Sequence, residues 1–261
     1  VILLALMSSC RKNGNTSRIV QMIGAQLKEI AAHQDEPLAF ETLYLGDMDI
    51  RPCRGCRTCF DRGEDRCPLR DDIPAIKAKM DAADGVILAS PVYVDDVNGI
   101  AKNLIDRLAY VCHRPAFAGR CAYTIATVGS SPTNHALRTM NTALFTWGFH
   151  LVGQAGYKTG ALVPPEDMES RYGQGTRKVA EELYRAISQR HALRPSFVSL
   201  MTFRIQQLAG QRRDRDSLDY IHWKRHGWLD PGCTFYIAHH AAPVKVALAR
   251  LVGAATARFM S

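Results

Sequence analysis

From Val1 to Met7 the chain is continuously apolar and stops at Ser8-Ser9, the pattern of a strand buried on both faces. A Gly- and Asn-bearing loop follows, then helical spacing from about Thr16 to Ala32. Ala39 to Leu45 reads as a second strand, and Ile73 to Ala83 as a helix behind Asp71-Asp72, which can cap it. Val86 to Ser90 is a third strand cut off by Pro91, and Gly99 to Val111 a helix with Ile100, Leu104 and Leu108 on one face. Ala122 to Val128 and His150 to Ala155 read as fourth and fifth strands, separated by a helix over Asn134 to Trp147. The last unit closes with a helix over Glu166 to Gln189, apolar at Met168, Tyr172, Val179, Leu183 and Ile187. This alternation predicts an α/β fold: a doubly wound, five-stranded parallel sheet of order 2-1-3-4-5, helices on both faces, and ligand at the carboxyl ends of the strands.

The alternation stops near Arg190. Pro195 to Leu208, Tyr220 to Trp228 and Val244 to Arg258 are apolar-aromatic or Ala-rich stretches without strands between them. Residues 1–190 are therefore expected to form one domain and residues 191–261 a helical extension serving packing or oligomerisation. Trp223 and Trp228 are expected to pack that extension against a neighbouring subunit.

Composition narrows the class. At 47% hydrophobic and 22% charged residues the chain of 261 can build a packed core, which excludes a disordered or low-complexity protein. No apolar run reaches the roughly 18–20 residues that span a bilayer. Val1 to Met7 has neither a basic flank nor a small-residue cleavage site, so it reads as a strand rather than a signal peptide, and a cytoplasmic location is expected. The net charge of +8 is uneven: residues 1–189 hold 22 Lys and Arg against 21 Asp and Glu, residues 190–261 hold 11 against 4. Because Asp214, Asp216 and Asp219 interrupt Arg212, Arg213 and Arg215, the tail reads as solvated surface or a subunit contact in preference to a nucleic-acid-binding patch. The histidines read as satisfied or surface groups.

Two connections carry ligand chemistry. Ser8-Ser9-Cys10-Arg11-Lys12-Asn13-Gly14-Asn15-Thr16-Ser17 joins the first strand to the first helix and combines hydroxyls, cations and a helix N-terminus, the donors a phosphate monoester requires. It matches neither the Walker loop nor the dinucleotide fingerprint. Ser90-Pro91-Val92-Tyr93-Val94 follows the third strand and can bring backbone and an aromatic ring to a planar ligand, or serve as an ordinary connection.

Together, Ser9-x-Arg11-x-x-Gly14-Asn15-Thr16, Ser90-Pro91-Val92-Tyr93 and Lys102-x-x-Ile105-Asp106-Arg107 resemble the NADPH-dependent FMN reductase family of flavodoxin-like proteins. The resemblance covers about residues 1–190. It implies that Ser9, Arg11, Asn15, Thr16 and Ser17 hold the FMN phosphate, and that Pro91, Val92, Tyr93 and Val94 line the isoalloxazine. It further implies that Thr127, Gly129 and Ser130 cover the flavin's other edge, although many members read Gly-Gly where this chain has Gly129-Ser130-Ser131. Asp106 and Arg107, neighbours on one helix, are read as a structural ion pair.

Cys53-x2-Cys56-x2-Cys59-x7-Cys67-Pro68 gathers four of the eight cysteines behind the second strand. Steps of three suit a cubane, whose irons need closely spaced thiolates, better than zinc, which usually takes two separated pairs. The iron-sulfur flavoproteins within the family resemble this arrangement most, which implies a [4Fe-4S] cluster on Cys53, Cys56, Cys59 and Cys67. A cysteine loop without metal stays open. Arg51, Arg54, Arg57, Arg62, Arg66 and Arg70 flank the loop, either offsetting cluster charge and guiding an anionic donor or simply solvated.

The leading expectation is an FMN-dependent oxidoreductase, with the chemistry at FMN and no catalytic side chain. Electrons from NAD(P)H or a ferredoxin-like protein would pass through FMN and the cluster to a small-molecule or protein acceptor. Non-catalytic electron transfer, redox sensing, and a clusterless NAD(P)H-dependent FMN or quinone reductase are the alternatives. The family resemblance implies a homodimer or homotetramer; neither nucleic acid nor a membrane span is expected.

Overall fold

In β1 (Ile2–Met7), Leu4 and Leu6 point to one side of the sheet and Leu3, Ala5 and Met7 to the other, and all five are buried. Such a strand needs cover on both faces. The computed structural model, which describes residues 1–160 and 163–259, supplies that cover from five helices. Ile19, Val20, Ile23 and Leu27 of α1 (Asn15–His33) and Val179, Leu183 and Ile187 of α6 (Pro165–Ser188) close over Leu3, Ala5 and Met7. The opposite face packs α3 (Ile73–Ala82), α4 (Gly99–Arg107) and α5 (Asn134–Thr146) on Leu4 and Leu6. Burial of each large aliphatic side chain stabilises the fold by about 1.5–3 kcal/mol.

The sheet runs β2 (Ala39–Tyr44), β1, β3 (Gly85–Tyr93), β5 (Cys121–Val128), β6 (His150–Lys158), all parallel, with the two-residue β4 (Asp96–Val97) antiparallel to the end of β3. The five parallel strands thus take the flavodoxin-like order 2-1-3-4-5 expected from the sequence. Two strands run longer than the pattern suggested. β3 continues through Pro91, because β1 has already ended opposite Ala89 and the missing N–H costs no ladder bond on that side. β6 continues to Lys158, following β5 residue by residue to Val128 beyond a bulge near Ala122.

The extension forms α7 (Phe197–Gln211), α8 (Leu218–Arg225) and α9 (Pro243–Phe259). Phe203, Trp223 and Trp228 make a small core of their own, edged by Phe235 and Tyr236. Here the tryptophans depart from expectation: they are buried within their own chain, and the Trp223 indole donates to the His113 carbonyl at 2.8 Å. An indole N–H inside a core needs such an acceptor, and the segment that follows α4 in the main domain provides it. Among the described residues no helix is long and apolar enough to cross a membrane.

Candidate functional site

All the candidate loops leave the carboxyl ends of parallel strands, so the topology gathers them along one edge of the sheet. The loop after β1 is tightened by its own backbone. The Gly14 N–H and the Ser17 hydroxyl both donate to the Arg11 carbonyl, at 3.1 and 2.9 Å, and the Ser9 hydroxyl accepts the Arg11 N–H at 3.3 Å. α1 begins behind Gly14 with no side-chain cap and no acidic residue in its first turn. Its leading N–H groups and the positive end of its dipole are therefore available to an anion. Lys12 is engaged with Asp47 at 2.7 Å, whereas Arg11 is exposed and makes no ion pair among the described residues.

Asn98 ties this loop to the next. Its side-chain amide donates to the Ser8 carbonyl at 2.8 Å, its oxygen caps α4 through the Ala101 N–H at 3.1 Å, and its own N–H reaches the Ser90 hydroxyl. Past Ser90, β3 and β4 form a hairpin whose tip, Val94 and Asp95, is left-handed at φ 49° and 69°. Tyr93 is 54% exposed and Val94 fully so. The third loop is joined by a buried hydroxyl pair, Thr16 and Thr127 at 2.6 Å.

Ser9, Arg11, Asn15, Thr16, Pro91, Val92, Tyr93, Thr127 and Gly129 line a single groove. Ser17 lies beneath it, fully buried on the Arg11 carbonyl, while Val94 and Ser130 are exposed outside its lining. Gly14 of the loop motif joins the lining, as do Val128, Thr159 and Gly160, which the sequence did not single out. Thr159 and Gly160 follow the strand read as ending at Ala155; its three further residues carry them to the groove, where their N–H groups bond Val128 and Gly129. The groove encloses about 120 Å³, below the roughly 300–1,000 Å³ that surrounds a whole small-molecule ligand.

The cysteine loop leaves β2 at the sheet edge. α4 anchors it: Asn103 donates to the Ile50 carbonyl at 2.6 Å and Arg107 to the Arg51 carbonyl at 2.8 Å. Left-handed Gly55, Arg57 and Gly63 turn the chain around the short α2 (Thr58–Asp61), one helical turn inside the cysteine loop. Cys53, Cys56, Cys59 and Cys67 all line a cavity of about 1,050 Å³. Among the described residues no three His, Cys, Asp or Glu side chains converge on a point that one ion would fill. Four thiols lining one cavity are the donor set that an iron-sulfur cluster takes from a protein. Cys56 is exposed and its thiol is lowered by a hydrogen bond from the Thr58 hydroxyl. Cys59 is raised by burial, with the Cys53 and Cys67 charges adding to it.

Of the two carboxylates expected to cap α3, Asp71 accepts the N–H of Ile73, its first residue, at 3.3 Å, whereas Asp72 makes no cap bond. Asp72 accepts the Asp49 N–H, and Asp71 is drawn to Arg107. Burial by itself would raise the Asp71 carboxyl; bonds from Arg107, Arg51 and Ile73 outweigh burial and hold it below the usual carboxylate range. Asp106 bonds Lys102 at 2.6 Å, so Asp106 and Arg107 serve different partners and not one another. A second groove, about 520 Å³, runs from Cys53 past Asn103 to Gly99 and Ile100, connecting the cysteine loop with the start of the helix that Asn98 caps.

The sequence profile of the NADPH-dependent FMN reductase family matches residues 2–160. An iron-sulfur flavoprotein of Archaeoglobus fulgidus is 28% identical over 228 residues, 87% of this chain and 99% of its own, and one of Methanosarcina thermophila is 30% identical over 180 residues, covering 67% and 89%. Among solved structures, RosB with bound 8-demethyl-8-formylriboflavin-5'-phosphate superposes with a TM-score of 0.59 at 14% identity, covering 82% of this chain and 88% of that one. An oxidoreductase from Corynebacterium diphtheriae gives 0.54 at 19%, covering 72% and 97%. At these identities the superpositions speak for the fold alone.

Proposed function

The chain belongs to the NADPH-dependent FMN reductase family and is an FMN-dependent oxidoreductase; from that premise we propose that it is an iron-sulfur flavoprotein, relaying electrons between FMN and a [4Fe-4S] cluster. The observation that carries the reading is the placement of four thiols around one cavity, on the same sheet edge as the anion-binding loop. The names of the relatives support it.

Ser9, Arg11, Asn15 and Thr16 would hold the FMN phosphate, with Arg11 supplying charge, α1 its N–H groups, and the buried Ser17 fixing the loop from beneath through the Arg11 carbonyl. Pro91, Val92 and Tyr93 would lie along the isoalloxazine, with Thr127 and Gly129 at its other edge and Val94 and Ser130 at the rim outside the groove. FMN, when bound, supplies hydride acceptance and single-electron donation. The side chains bind, orient and exclude water; none is needed as an acid or base. Cys53, Cys56, Cys59 and Cys67 would ligate the cluster, which when bound supplies one-electron relay. NAD(P)H or a ferredoxin-like protein is the donor in this reading, and a small molecule or redox protein the acceptor. The shallow groove and exposed Tyr93 favour a homodimer or homotetramer in which a second copy covers the flavin.

An anaerobic visible spectrum with iron and acid-labile sulfide assays on the same protein tests this. Flavin absorption with about four irons per chain supports the reading; flavin without iron after reconstitution overturns the cluster and leaves a simple FMN reductase. Anaerobic mixing with NADH or NADPH separates enzyme from carrier: flavin bleaching supports a nicotinamide donor, and reduction only by ferredoxin removes it.

A further inference from the structure

Arg107 is 7% exposed and its partner Asp71 has a wholly buried side chain. Both terminal nitrogens of the guanidinium engage the Asp71 carboxylate, Nη2 at 3.1 Å from Oδ1, and Nη1 also donates to the Arg51 carbonyl at 2.8 Å. The same Nη2 points to the Cys67 Sγ at 3.8 Å. Asp71 is itself pinned by the N–H groups of Arg51 and Ile73, at 3.0 and 3.3 Å. The ion pair is thus fixed between α4, the start of the cysteine loop and the start of α3, with its cationic end toward one sulfur and its anionic end toward backbone donors. Cys53 and Cys56 meet neutral donors instead, the Gly55 N–H and the Thr58 hydroxyl.

We propose that Arg107 tunes the cluster through Cys67: its guanidinium, oriented by Asp71, stabilises the more negative, reduced form and raises the reduction potential. This rests on the cluster reading above. One-electron reduction makes and breaks no bond and adds one negative charge, shared with the ligand sulfurs, and hydrogen bonds to those sulfurs set the potential. A charge-assisted donor is the stronger kind, and low exposure keeps water from screening it. The function of Asp71 is to position that donor while offsetting part of its charge.

The test compares wild type with Arg107→Gln, Arg107→Lys and Asp71→Asn, each reconstituted anaerobically with iron and sulfide, assayed for iron per chain, and titrated with dithionite under EPR observation. Arg107→Gln is expected to reduce the one-electron equilibrium constant about tenfold, a potential about 59 mV more negative. Arg107→Lys, which keeps the cation, stays nearer wild type, and Asp71→Asn, which removes the counter-charge, shifts the potential the other way. Opposite shifts support tuning; an unmoved potential at full iron content, or shifts of one sign in Gln and Asn variants, overturns it. If Arg107→Gln does not fold, the direction of the Asp71→Asn shift decides. A wild type that takes up no iron overturns the cluster reading and this inference together, whereas an iron-loaded wild type with unmoved variants overturns this inference alone.

Discussion

The Arg114 guanidinium lies 2.7 Å from the Asp219 carboxylate, a buried pair formed by residues 105 positions apart. Through its other nitrogen Arg114 donates to the Cys59 carbonyl at 2.6 Å, and Asp219 also meets His113 at 2.9 Å and Arg213. α8 therefore reaches across the main domain to brace the third cysteine of the loop. We propose this bracing as the role of the extension, residues 191–261, against the domain of residues 1–190.

Replacing Asp219 with Ala leaves the buried Arg114 guanidinium, among the described residues, with its bond to the Cys59 carbonyl and one carboxylate, the half-exposed Glu64 at 3.3 Å. Breaking one side of a buried pair costs about 3–5 kcal/mol, and the surviving Glu64 contact places the expected loss near the lower end. Urea denaturation of purified protein measures it. A loss under about 1 kcal/mol would remove the bracing role.

Arg11→Ala is expected to weaken FMN binding by roughly tenfold to a hundredfold, the worth of a charge-assisted hydrogen bond. Riboflavin, which lacks the phosphate, should bind wild type and variant alike. Fluorescence titration of the apoprotein with both flavins reads the difference, and equal losses for the two would place Arg11 elsewhere than at the phosphate.

Thr16 and Thr127 bond to one another out of water, so Thr16→Val or Thr127→Val leaves one hydroxyl unpaired and costs about 1–3 kcal/mol. The double variant is expected to lose less than the sum of the singles, because both partners leave together. Additive losses in a thermal-unfolding cycle would mean that the hydroxyls act separately.

Val94 holds a left-handed backbone while its side chain is fully exposed. A β-branched residue there carries strain of about 1–2 kcal/mol that Gly does not. Val94→Gly is expected to raise the melting temperature despite shortening a side chain, and a lowered value would indicate that Val94 makes contacts in an assembly.

Burial, with His226 beside it, holds the His222 imidazole down at about 4, against an ordinary 6.5. A histidine depressed in the folded state binds its proton more readily when unfolded. Its contribution to stability is intact above pH 6.5 and is lost progressively as pH falls toward 4. Unfolding midpoints of wild type and His222→Gln, measured across that window, should converge at the acid end; parallel curves would rule the coupling out.

How much of this was legible beforehand follows from how far each feature reaches along the chain. Apolar runs such as Val1 to Met7, helical spacing from Met168 to Ile187 and the compact Cys53-to-Cys67 motif are local, and period and spacing carry them without any knowledge of packing. Strand order followed because parallel crossovers leave few alternatives. Strand ends did not: β3 passes through Pro91 and β6 reaches Lys158 because of what their neighbours do, and Thr159 and Gly160 thereby enter the groove. The pairs that shape the site lie farther apart still, Thr16 with Thr127 at 111 positions and Arg107 with Asp71 at 36. Sequence alone determined the sheet, its loops and the candidate ligands; which partner each buried charge and hydroxyl takes was decided only when packing removed water and made an unpaired polar group costly.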